Sequence, residues 1–181
     1  MAEYSYIREI QIRFKKKRVK GQSIKEPIIN AEQVVVLFSD MQNETKEKLI
    51  TISLDKSMKI LCFEVVAIGA VDSVYARPVE MIRGAIPFAP YGLIIVHNHP
   101  SGDPIPSKDD IRFTGELMNE TNSLGIDFCD HIIIGDGKFV SFANMGLIKE
   151  FQRLLKKSDD KLNSALQKKA EAVASKLANN K

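Results

Sequence analysis

Two hydrophobic periodicities alternate along this chain. Residues 4–14, YSYIREIQIRF, place Ile10, Ile12 and Phe14 at every second position between charged or polar neighbours, which predicts a half-buried strand at a sheet edge. KLITISL (48–54) and KILCFEVVAI (59–68) predict adjacent strands, and the short polar link DKSMK between them has the length of a hairpin turn. GLIIVH (92–97) is apolar without interruption, as a strand buried on both faces is. IDFCDHIIIG (126–135) predicts a further strand that turns at Asp136-Gly137 into KFVSF.

Helical spacing fills the intervals. Asn30 is placed to cap a helix over about residues 31–41, with Val34, Val35, Leu37 and Phe38 as its apolar face. Pro78 fits the first turn of a short helix over 78–86, which must stop before Pro87 and Pro90. Ser107 opens a helix over 107–124 with apolar Ile111, Phe113, Leu117 and Met118, and Gly125 ends it. From about residue 149 Gly and Pro disappear, and Phe151, Leu155, Leu162, Leu166, Val173 and Leu177 recur at near-helical intervals. The pattern predicts an α/β fold, a mixed β-sheet flanked by helices. Its segments are an N-terminal basic strand and linker (1–30), a central domain (31–148) and a C-terminal amphipathic helical tail (149–181).

The 181 residues suit one such domain with tails, and 44% hydrophobic and 27% charged residues exclude collagenous and wholly disordered classes. No apolar run approaches the ~20 residues that cross a bilayer, and MAEYSYIREI lacks a secretory pattern. A cytoplasmic protein with no membrane partner is expected. Cys62 and Cys129 stand far apart in apolar segments, as buried free thiols do rather than a disulfide or a ligand pair. A net charge of +3 is too small to argue for nucleic acid. The local run Lys15, Lys16, Lys17, Arg18 and Lys20 is either a solvated strand end or a phosphate contact that would release counterions.

Chemistry concentrates in HNHPSGDPIPSKDD, residues 97–110, which holds two of the three histidines. Histidines at i and i+2 on an extended strand project to one side, so His97 and His99 can reach one ion while Asn98 points away. A helix opening at Ser107 puts Asp110 in its first turn as a third ligand. Two imidazoles and a carboxylate leave a fourth position for water, the pattern of a catalytic zinc site, and imidazoles favour zinc over magnesium. The letters HNH do not make a nuclease of that name, whose residues are spread over a longer element. Zinc deaminases need His-x-Glu with Cys-x-x-Cys, and neither occurs here. His131, in a strand, is expected to be a hydrogen-bonded core residue rather than a ligand.

His-x-His, seven residues, Ser, two residues, Asp is the JAMM pattern, met by His97, His99, Ser107 and Asp110. With the following DHIIIGDGKFVSFANMGLI, the wording over about residues 31–148 closely resembles the RadC-like branch of the JAB/MPN superfamily. The chain looks like a short, domain-only form lacking the helix-hairpin-helix region of longer members. It departs from the family in reading ARPVE where PRE is common, keeping Arg77. The resemblance implies a JAB/MPN (cytidine-deaminase-like) architecture and a zinc metallopeptidase acting on a protein or peptide substrate. It also implies an upstream glutamate as general base, Glu47 by alignment with Glu44 as its competitor, and Ser107 as oxyanion donor. The competing expectation is a DNA-associated accessory protein in which zinc is structural. A metal-dependent nuclease is disfavoured, because two-metal sites need more carboxylates.

Overall fold

The computed structural model describes residues 13, 15–16, 26–69 and 77–157. Of the strand expected over 4–14 and the basic run after it, only Arg13, Lys15 and Lys16 are described, all exposed; Lys17, Arg18, Lys20 and tail residues 158–181 lie outside the described residues.

Asn30 opens helix α1, Ala31–Leu37, by accepting a hydrogen bond from Gln33 N at 3.0 Å, while the Gln33 side chain accepts from Asn30 N at 3.3 Å. The helix ends four residues short of the expected Met41. Ser39 and Asp40, residues that compete for backbone hydrogen bonds, begin a 3-10 turn over Ser39–Asn43 that buries Met41. Strand β1, Lys48–Leu54, and strand β2, Ile60–Ile68, pair antiparallel through the expected hairpin. Helix α2 spans Pro78–Arg83, shorter than expected, and Pro87 falls in a separate 3-10 turn, Ile86–Phe88. Strand β3 is Gly92–Asn98, helix α3 Lys108–Ser123, strand β4 Asp127–Ile134 and strand β5 Phe139–Ser141. A further helix, α4, is described over residues 147–157 and runs across the expected boundary at 149. Among the described residues no helix is long and apolar enough to cross a membrane.

The sheet order is β2-β1-β3-β4-β5, with β3 and β4 parallel and every other pair antiparallel. The parallel pair needs a crossover, and α3 supplies it. Among the described residues this is a mixed five-stranded sheet flanked by helices, the α/β class expected from the sequence.

Strand β3 sits in the middle, paired on both edges, and all its residues are buried. Its side chains alternate between two cores. Leu93 and Ile95 join Met81, Ile82, Leu117 and Phe142 beneath α2 and α3, and Phe151 and Leu155 of α4 pack on the same cluster. Ile94 and Val96 join Val34, Phe38, Ile50 and Ile132 beneath α1. Each fully buried aliphatic side chain contributes about 1.5–3 kcal/mol, so the four together hold the register firmly. That register decides the chemistry, because a one-residue slip would turn His97 to the α1 side. Cys62 and Cys129 are free thiols, each half-buried, and burial raises both, Cys129 to about 11.

Candidate metal centre

The C-terminal end of β3 delivers His97 onto the face covered by α3, paired across β1 to Leu49 and across β4 to Ile133. After Asn98 the chain leaves the sheet, and His99 N donates to Ile134 O at 2.9 Å. The loop then folds back on β4: Gly102, at φ 80°, accepts from Asp136 N at 2.9 Å, and a Cβ on Gly135 would stand 2.4 Å from Gly102 O. Glycine at both positions lets loop and strand touch.

Ser107 then caps α3. Its hydroxyl donates to Asp110 Oδ2 at 2.6 Å and accepts from Asp110 N at 3.1 Å, and Ser107 N donates to the same carboxylate oxygen at 2.7 Å. This capping box aims Asp110 at the histidines. From the other side comes Glu47, immediately before β1.

Ligand atoms of Glu47, His97, His99 and Asp110 all lie within 4.8 Å of one another. His97 Nε2 is 2.9 Å from His99 Nε2, 3.3 Å from Asp110 Oδ1 and 3.8 Å from Glu47 Oε1, and His99 Nε2 is 3.6 Å from Asp110 Oδ2. A tetrahedral ion with bonds of 2.0–2.1 Å separates its ligands by about 3.3–3.4 Å, so the His, His, Asp spacing fits one ion. His99 Nδ1 meets Asp103 O at 2.7 Å; a carbonyl only accepts, so the proton sits on Nδ1 and the lone pair of Nε2 faces the cluster. A nitrogen lone pair converging with carboxylate oxygens calls for a cation between them. These residues can hold a metal ion.

The electrostatics agree. Burial lowers the His97 imidazole to about 4, against the pull of Asp110, which keeps it neutral and ready to ligate. Asp110's carboxylate raises His99 above the ordinary histidine value, with burial opposing. Burial alone would raise Asp110, but His99, His97 and the Ser107 hydrogen bonds together hold it well below the usual carboxylate range. It stays an anion.

Of the residues singled out in the sequence, the structure brings together His97, His99, Asp110 and Glu47, with Ser107 hydrogen-bonded to the group. Glu44 is elsewhere engaged, in an ion pair with Lys48. Lys15 and Lys16 are exposed and no described contact links them to the cluster. His131 is fully buried and hydrogen-bonded, but its partner is a cluster member: its Nε2 lies 2.7 Å from His97 Nδ1. Its Nδ1 lies 2.6 Å from Thr114 Oγ1, and the Phe142 ring covers it at 4.6 Å. Thr114 went unread in the sequence, where a threonine inside a helix carries no signal of its own.

The RadC-like JAB domain family matches residues 28–147. A UPF0758 protein of Methanosarcina mazei is 44% identical over 114 residues, 63% of this chain and 50% of its own length. One from Aquifex aeolicus is 37% identical over 132 residues, 73% of this chain and 57% of its own. One from Desulforamulus reducens is 39% identical over 113 residues, 62% of this chain and 50% of its own. The chain thus spans about half the length of the curated relatives it matches. With two thirds of its residues matched, and the cluster at the end of β3 inside that match, the chain belongs to the RadC-like JAB domain family.

Proposed function

We propose that this chain is a zinc-dependent hydrolase of peptide or isopeptide bonds. The observation that carries this reading is the convergence of three ligand-type groups with a separate carboxylate, Glu47, at the end of one buried strand. His97, His99 and Asp110 would hold the ion, a set that leaves a coordination position open. Zinc bound there supplies Lewis acidity toward a carbonyl oxygen and acidifies water. Glu47, approaching from β1, accepts the proton of the attacking water and returns it to the leaving amine. Ser107 has its hydroxyl proton on Asp110. To serve as oxyanion donor it must turn that proton toward the substrate; otherwise its work is to orient Asp110.

The test compares cells expressing the active protein with cells expressing Glu47→Gln, reading the proteome for species that accumulate uncleaved, with zinc content measured on both proteins. The amide keeps shape and cannot take a proton, so hydrolysis should fall ~10²–10⁴-fold while zinc is retained. Equal proteomes at equal zinc loading would move the reading to a zinc-stabilised, DNA-associated accessory protein, for which the Lys15 to Lys20 run would supply phosphate contacts.

A further inference from the structure

We propose that Thr114 and His131 form a positioning relay that fixes which nitrogen of His97 carries its proton, and so presents His97 Nε2 bare to the metal. The proposal rests on the metal-centre reading for its purpose, and on hydrogen-bond chemistry for its direction.

The direction follows from one end. Thr114 Oγ1 lies 2.6 Å from the main-chain oxygen of Asp110. That oxygen only accepts, so the single hydroxyl proton of Thr114 points to it. Thr114 Oγ1 also lies 2.6 Å from His131 Nδ1. With its proton already used, the hydroxyl must accept there, which puts a proton on His131 Nδ1. His131 is fully buried and has no carboxylate on either ring nitrogen, so it is neutral and its Nε2 carries none. His131 Nε2 therefore accepts at 2.7 Å from His97 Nδ1, which must be protonated. The remaining nitrogen, His97 Nε2, keeps its lone pair, and it is the atom facing Asp110, His99 and Glu47.

The relay begins at the main chain of Asp110 and ends at the ring of His97. It ties two proposed ligands from different elements, Asp110 of α3 and His97 of β3, through Thr114 of α3 and His131 of β4. Reversing it is unfavourable, because the Thr114 oxygen and the Asp110 carbonyl would then face each other at 2.6 Å with no proton between them. Ligating histidines are commonly oriented through their second nitrogen by a carboxylate or carbonyl. Here a second histidine and a threonine transmit that role from a carbonyl two hydrogen bonds further away. Neither touches the site of reaction, so both are positioning residues.

The test uses the full chain stripped of metal. Nitrogen shifts of the histidine rings report each tautomer, and competition with a chelator reports zinc affinity. Wild type and Thr114→Ser should show His97 and His131 both protonated on Nδ1. Thr114→Val, equal in shape but unable to accept, should free His131 to protonate on Nε2, push His97 toward the Nε2-protonated form, and weaken zinc about 10–100-fold. Wild-type His97 protonated on Nε2 would overturn the relay, whether or not any variant folds. So would Thr114→Val with wild-type tautomers, at either wild-type or reduced affinity, since loss without a tautomer change is only structural. A wild-type chain that binds no zinc would end the metal reading, while the tautomer comparison would still decide the relay.

Discussion

Asn98 grips the main chain on both sides of Glu47. Its Oδ1 accepts from Lys48 N at 2.8 Å and its Nδ2 donates to Lys46 O at 3.2 Å, and the residue is 1% exposed. The asparagine between the two proposed ligands thus faces away from the metal centre and holds the approach of the proposed base.

Asn98→Ala should therefore separate two properties. Removing both hydrogen bonds leaves a part-buried N–H and C=O without their partner, a loss of about 1–3 kcal/mol in denaturant unfolding. Zinc content should stay at the wild-type level because no ligand is altered. A misplaced Glu47 should slow hydrolysis by on the order of 10²-fold at equal zinc loading. Unchanged turnover per bound zinc would show that the clamp serves stability alone.

Zinc affinity should depend on pH through His99. Its raised value lies above the ordinary 6.5, and a protonated ring cannot ligate, so affinity is flat above that point. Below it, apparent affinity should fall about tenfold per pH unit, with one proton released on binding. Asp110 adds no proton in this range because its own value is lowered, and His97 adds a second only near its value of about 4. Chelator competition between pH 5 and 8 measures the slope; a slope near two in that range would mean that His97 is not held neutral.

Gly135→Ala should loosen the loop that carries His99. The new methyl would meet Gly102 O at 2.4 Å and Pro104 Cδ at 2.8 Å, an overpacking that costs roughly 1–3 kcal/mol. Thermal unfolding and zinc titration should both register it. Gly137→Ala is the control: at φ 62° it strains the turn by roughly 1 kcal/mol, has open space around it, and should leave zinc affinity unchanged.

Truncation after Glu150 should leave a folded but weaker domain. It removes Phe151, which lies against Gly115 of α3, and Leu155, both packed on the core beneath α2 and α3. Half-buried, the two side chains contribute about 2 kcal/mol together. A melting temperature equal to that of the full chain would show that α4 adds nothing to the core.

Much of the fold was legible because local patterning was strong. KLITISL became β1 residue for residue, GLIIVH became a strand buried throughout, and Ser107 and Gly125 bracket α3. The buried side of α3 was less legible. Ile111 looks like a core residue yet is 38% exposed, while Thr114 and Thr121 are fully buried. Threonine can occupy such positions because each hydroxyl finds a partner, Thr121 through Met118 O and Thr114 through the relay. The proposed ligands could be named because the motif keeps them close along the chain. The contact between His97 and His131 could not, since it depends on β3 and β4 pairing in parallel, a choice that hydrophobic pattern does not encode.

The stretch from His97 to Asp110 is continuous along the chain, whereas Glu47 is brought to the same point by the pairing of β1 with β3 and the grip of Asn98. On the proposed reading, the ability to retain an ion belongs to the end of β3 with its loop and α3, and the ability to use it belongs to the β1–β2 hairpin. A partial opening that peels the β1–β2 hairpin from β3 would leave the chelate whole and the base absent. Metal content would then report the state of the loop and turnover the state of the hairpin, so that occupancy and competence can part company in a single molecule.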